Sequence, residues 1–194
     1  MTPYQPFIVK DLFPANVFEK LKAEALTLKK QKDIYVDDKI FFRAAVANPL
    51  FFQKILYHIL TPIACKLFNE DLVPTFSFLS FYIPGQGICP PHIDSDYCYR
   101  TIDLCVDQAE VWPLYVNSEE KIRKMNLGPG FIHDKRLIDE IKSGSTEYLM
   151  TPGEALCYSG TQSPHWRNKM SPNNFCDLAF FHFVLAGTKL NKIS

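Results

Sequence analysis

Within Cys89 to Arg100, "CPPHIDSDYCYR", an imidazole and a carboxylate stand two residues apart, at His92 and Asp94. On an extended backbone, side chains at i and i+2 leave the same face, so both groups reach one ion. A short His-x-Asp is equally at home in a hydrogen-bonded turn, and a metal needs a third ligand from elsewhere. His58 lies among Leu and Ile in a helical pattern, and His133 sits in a charged stretch. His182 and His165 lie on late strand-like runs, and His165 follows a strand and tight turn in "TPGEALCYSGTQSPHWRNK". It is the candidate third ligand. Two histidines and one carboxylate on one side of a metal leave positions open, which suits non-haem Fe(II), because those positions accept a chelating cosubstrate and then O2. Zinc can take the same residues in a four-ligand site.

The elements that must position these groups change character along the chain. Phe13, Val17, Leu21, Ala25 and Leu28 recur at steps of three and four, which predicts an amphipathic helix opened near Pro14. From Asn48, "NPLFFQKILYHILTPIACKLFNE" offers an Asn cap followed by Pro and an apolar pattern cut by Pro62, so one kinked helix or two short ones. Residues 1–73 are expected to form a helical layer. After Pro74 come short runs rich in Phe, Tyr, Val and Ile, among them "TFSFLSFYI", "RTIDLCV", "EALCYSG" and "NFCDLAFFHFVLAG", punctuated by Pro, Gly and Asn. Helices first and strands after argue for an α+β fold with a sandwich or barrel as its core. Residues 118–146 interrupt the strand pattern with mixed charge and a Gly-Pro-Gly, as a lid or a mobile surface loop would.

The ordered runs "FYIPGQGICPPHIDSDYCYRTIDLCVD", "WPLYVN", "MTPGEALCYSGTQSPHWRNKM" and "NFCDLAFFHFV" resemble the 2-oxoglutarate and Fe(II)-dependent dioxygenases, most nearly the prolyl-4-hydroxylase-like branch with its HxD…HWR motif. The resemblance spans roughly residues 74–186, and "FIVKDLFP" followed by a helix is also typical of the branch. It implies a double-stranded β-helix (jelly-roll, cupin-like) core over 74–186 in a single domain, with the N-terminal helices packed on one sheet. It implies Fe(II), 2-oxoglutarate and O2 as cofactor and cosubstrates, with His92, Asp94 and His165 as the facial triad. Tyr82, ten residues before His92, falls where the branch places a tyrosine that bonds the cosubstrate.

The sequence departs from the commoner pattern at the cation that grips the far carboxylate of 2-oxoglutarate. About ten residues after the distal histidine it reads "NNFCDL", with no Arg or Lys. Arg167 is the best substitute: two residues after His165 on one strand it faces the same way, and its planar fork matches a carboxylate. Arg100 is the rival, but it shares a face with Ile102, Leu104 and Val106, which should pack under the helices. His182, in line with Cys176, Leu178 and Phe180, could touch the cosubstrate or orient His165.

The resemblance implies hydroxylation of a small molecule, amino acid or peptidyl residue, with succinate and CO2 released. The alternative is a barrel that binds a metal or small ligand without oxidising anything. Lys plus Arg equals Asp plus Glu, at 21 each, so the electrostatic footprint of a nucleic-acid binder is missing. No signal-like segment and no run of ~18 apolar residues is visible, and six scattered cysteines form no CxxC pair. These features lead to the expectation of a cytoplasmic protein with reduced thiols and no membrane partner.

Overall fold

The computed structural model describes residues 5–31 and 36–189. Strand β1 (Phe7–Val9) leads to helix α1 (Ala15–Lys29), which starts at Pro14 with φ −53° and carries Lys29 in its last turn, where a cation favours the helix dipole. Strands β2 (Val36–Asp38) and β3 (Arg43–Ala47) follow. Helix α2 (Leu50–Ile55) then passes through a π-helical turn, Leu56–Leu60, into α3 (Thr61–Phe68). Pro62 falls in the first turn of α3, where its missing N–H is tolerated, and Thr61 Oγ1 donates to Leu56 O at 2.6 Å across the irregular turn. The helix closes on Asn69 in the left-handed conformation, φ 52°. Asn48 does not cap α2 as expected: Pro49 occupies the cap position, and Asn48 Oδ1 accepts from Ser77 N at 3.3 Å and from the Gln53 side chain.

Strands β4 (Leu72–Tyr82), β5 (Cys89–Ile93), β6 (Arg100–Gln108) and β7 (Leu114–Val116) come next. After them come α4 (Glu120–Arg123), β8 (Gly130–Phe131), α5 (Lys135–Ser143), β9 (Thr146–Tyr148), β10 (Ala155–Tyr158), β11 (His165–Arg167) and β12 (Cys176–Leu185). They form two antiparallel sheets, one ordered β1-β10-β6-β12-β4-β3-β2 and the other β8-β5-β11-β7-β9. The expectation of a helical layer over 1–73 is therefore corrected: strands β1, β2 and β3 accompany its helices. β1 adds to one edge of the large sheet, and β3 and β2 add to the other by pairing Arg43–Ala47 with Phe78–Tyr82. "RAAVA" has little strand propensity of its own, so partner pairing overrides local preference.

Alternation along the strands divides the apolar residues between two cores. Ile102, Leu104 and Val106 of β6 and Ala179, Phe181 and Phe183 of β12 face the helices, packing with Leu21, Phe52, Leu56 and Leu60. Cys105, Leu178 and Phe180 turn the other way and join Leu114 and Val116 of the small sheet. Phe181 is fully buried with its ring 6.3 Å from that of Phe52. Phe181→Ala is expected to destabilise the fold by about 3–5 kcal/mol, seen as a lower denaturation midpoint.

Residues 118–146 carry α4, β8 and α5. Ile122 and Ile141 are buried, Asn117 Nδ2 donates to Ile141 O at 2.9 Å, and β8 pairs with β5 beside His92. All six cysteines carry free thiols. Among the described residues, no helix is long and apolar enough to cross a membrane.

Candidate metal centre

The strand ladder brings the metal-type residues together. Pro90 and Pro91 fix φ through β5, and His92 stands directly opposite His165 in the β5–β11 pair. Directly opposed residues send side chains to the same face, and the two imidazole centroids lie 4.2 Å apart. Asp94 follows the end of β5, where its N–H donates to Gly160 O at 3.0 Å. Its Oδ1 lies 3.3 Å from His92 Nε2 and 3.5 Å from His165 Nε2.

The hydrogen bonds behind the rings decide what those nitrogens can do. His92 Nδ1 donates to Pro90 O at 2.9 Å and His165 Nδ1 to Ser163 O at 3.0 Å. A carbonyl only accepts, so each Nδ1 carries the hydrogen and each Nε2 presents a lone pair to the carboxylate. Three acceptors converging on one point require a positive charge between them, either a proton or a metal ion. The electrostatics say the same: burial works against the charged forms, yet the two histidines hold the Asp94 carboxyl well below the usual carboxylate range, and Cys89 and Asp94 raise the His92 pKa. The donor set fits a facial three-ligand metal site.

Gly160 is part of that fit. A Cβ there would overlap Asp94 Oδ2 and come within 2.6 Å of Cys98 O. Gly160→Ala is expected to displace the Asp94 carboxylate and cut metal affinity at least tenfold, a loss like that from disturbing a ligand's supporting partner. Isothermal titration with Ni(II) measures it.

A cavity of about 430 Å³ opens on the triad, and Tyr82, Arg167 and His182 line it as well. All six residues singled out from the sequence thus share one cavity. Arg167 is buried at 3% exposure; Nη1 donates to Trp112 O, while Nη2 has no hydrogen-bond partner among the described residues. Its guanidinium lies 4.9 Å from the Trp112 ring, and Trp112 in turn packs edge-on against Tyr82 at 4.7 Å. Burial raises the Tyr82 pKa, so the phenol keeps its proton to donate. Arg100 points to the opposite side of β6, where Nε and Nη2 hold Glu70 at 2.6 Å each. Asp96, His58 and His133 are exposed and line no part of this cavity.

His182 does not orient His165, whose Nδ1 is held by Ser163. Its own Nδ1 meets Thr101 Oγ1 at 3.2 Å, its ring lies 4.4 Å from that of Phe76, and burial lowers its pKa to about 4.

Two cavity residues escaped the sequence reading. Asp103 lies on the cavity side of β6, and burial, opposed by Arg167, raises its carboxyl to about 8. Its signal was a polar residue between Ile102 and Leu104 on a buried strand. Arg43 reaches the cavity from β3, over the Phe41 ring at 4.2 Å, with Nε donating to Asp38 Oδ2 at 3.1 Å and Nη1 to Ser80 Oγ at 3.1 Å. Nothing in the sequence marked Arg43, because its strand was not legible. Pro129 and Gly130 place part of the 118–146 segment in the cavity wall.

No protein-family model and no curated protein matches this sequence. Solved structures do match in shape. EctD from S. alaskensis, with 2-oxoglutarate and 5-hydroxyectoine, superposes with a TM-score of 0.74 at 15% identity over 96% of this chain and 74% of that one. HygX from Streptomyces hygroscopicus, with nickel and 2-oxoglutarate bound, gives 0.68 at 11% identity over 96% and 85%. SnoN, a non-haem α-ketoglutarate-dependent epimerase of nogalamycin biosynthesis, gives 0.68 at 12% over 97% and 88%. The class these comparisons define is one of fold: a mixed α/β chain with two antiparallel sheets, shared with 2-oxoglutarate-dependent enzymes.

Proposed function

We propose that this protein is a non-haem Fe(II) and 2-oxoglutarate-dependent oxygenase that hydroxylates a small molecule, amino acid or peptidyl residue. The observation that carries the reading is the cavity that holds both a two-histidine, one-carboxylate set and a buried arginine with an unpartnered nitrogen. A buried, half-satisfied guanidinium is costly unless an anion completes it, and a dicarboxylate cosubstrate supplies one. The strand orders β10-β6-β12-β4 and β5-β11-β7-β9 support the double-stranded β-helix. The "PHIDSD" and "PHWR" segments support the prolyl-4-hydroxylase-like branch.

In this reading His92, Asp94 and His165 hold Fe(II), which when bound supplies the coupling of 2-oxoglutarate decarboxylation to oxidation by O2. Arg167 holds the distal carboxylate with its free Nη2 edge, while the Trp112 carbonyl fixes its other edge. The Tyr82 phenol, kept protonated, donates a hydrogen bond to the same cosubstrate. Phe41, Phe78 and Phe180 keep the cavity apolar and limit water. The volume lies within the roughly 300–1,000 Å³ of ordinary ligand sites, which favours a small substrate group over a folded one.

Anaerobic addition of Fe(II) and 2-oxoglutarate should give a weak visible charge-transfer band, followed by succinate formation in air. A protein that binds the metal but yields neither band nor succinate belongs instead to the non-catalytic, ligand-binding alternative.

A further inference from the structure

His182 is left unused by the metal triad and the cosubstrate clamp. It is 3% exposed, and its Nε2 has no hydrogen-bond partner among the described residues. Thr101 Oγ1 donates to Cys98 O at 3.5 Å and therefore accepts from His182 Nδ1–H, which leaves Nε2 as a buried lone pair. A buried acceptor without a donor is expensive and points to a missing partner.

Its surroundings identify the kind of partner. One ligand atom each from His182, Cys98 and Asp94 lie within 4.8 Å of one another, as do those of the triad. Asp94 belongs to both groups, and its oxygens face different ways. Oδ1 is turned to His92 and His165, whereas Oδ2 lies toward Gly160, beside Cys98 O and Thr101 Oγ1. Cys98 is 4% exposed, and Ser95 Oγ, 3.5 Å from its Sγ, is a weak partner. A thiol, an imidazole and a carboxylate together form a donor set for zinc-like ions, softer than the triad's two imidazoles and carboxylate.

We propose that Asp94, Cys98 and His182 form a second metal subsite, for a borderline-soft divalent ion of the zinc class, sharing Asp94 with the triad. The ion replaces the thiol proton, which passes to solvent as the sulfur–metal bond forms, and no redox change is involved. Because Asp94 serves both groups, an ion held here draws on the carboxylate that iron needs, so zinc would inhibit from beside the iron rather than only in its place.

Anaerobic titration of the metal-free full chain with Co(II), a spectroscopic stand-in for Zn(II), tests this. A near-ultraviolet thiolate-to-cobalt charge-transfer band is expected, bleached by Zn(II). It should vanish in Cys98→Ala and in His182→Ala and survive in His165→Ala. It should also survive in Cys89→Ala, the control for the other thiol near the centre, whose Sγ lies 3.7 Å from His92 Nδ1. If Cys98→Ala does not fold, Cys98→Ser, close in size, decides. Absence of the band in the unaltered protein, its survival without Cys98, or its loss in His165→Ala or Cys89→Ala overturns the subsite. The readout needs neither 2-oxoglutarate nor turnover, so failure of the oxygenase reading and failure of this one are separately visible.

Discussion

Replacing His165 with alanine is expected to abolish metal binding at the His92–Asp94–His165 site while leaving the protein folded. The imidazole faces the cavity from the centre of the small sheet, between β5 and β7, and two groups remain that cannot complete a facial site. Losing a ligand should exceed the ~10- to 100-fold in affinity that a ligand's supporting partner contributes. The structural cost is small: one hydrogen bond to Ser163 O, about 1 kcal/mol, and an edge contact with the Tyr158 ring at 4.9 Å. Removing a lone pair that faces Asp94 offsets part of it. Titration with Ni(II) in a Cys98→Ala background, which lacks the thiol of the second group, alongside far-ultraviolet circular dichroism checks both halves. Retained affinity, or loss of the fold, would contradict the assignment of His165 as a ligand.

The second large effect concerns the cosubstrate. Arg167→Gln should weaken 2-oxoglutarate binding by about 2–5 kcal/mol, the range for truncating one partner of a buried charge pair, or roughly 30- to 4,000-fold. Metal affinity should stay within a few-fold, because no triad atom bonds to Arg167. Arg100→Gln supplies the contrast. It loses the Glu70 pair on the helix side, so it should lower stability and leave cosubstrate affinity unchanged. Charge-transfer titrations of the three proteins separate these outcomes, and equal loss in both variants would remove Arg167 from the clamp.

What was legible in the sequence was what alternation and turn residues encode. In β6 and β12 the split between helix-facing and cavity-facing residues follows directly from period two, which is why Arg100 and His182 fell on the correct sides. The residue types and the turn before His165 marked that histidine, whereas its pairing with His92 lies in a ladder between segments more than seventy residues apart. Such pairings leave no local trace. Arg43 shows the converse: "FFRAAVA" has neither alternation nor β-branched enrichment, and pairing with β4 and β2 makes it a strand. The π-helical turn was hidden for another reason: Pro62 signals a break, and the local bond from the Thr61 hydroxyl to Leu56 O that bridges it has no motif of its own.

β11 is only three residues long, yet it decides whether the His92–Asp94–His165 site can form. Its bulge between His165 and Arg167 fixes how it meets β5, and β7 fixes its other side. A slip of one position would swing Trp166 inward and both His165 and Arg167 outward, giving a well-packed protein with an indole where an imidazole belongs. Trp166 is anchored on the outer face by Tyr115, 4.2 Å away in a parallel stack, and by Lys142 from α5. The aromatic clasp outside the sheet thus favours the one register that turns His165 and Arg167 toward the cavity.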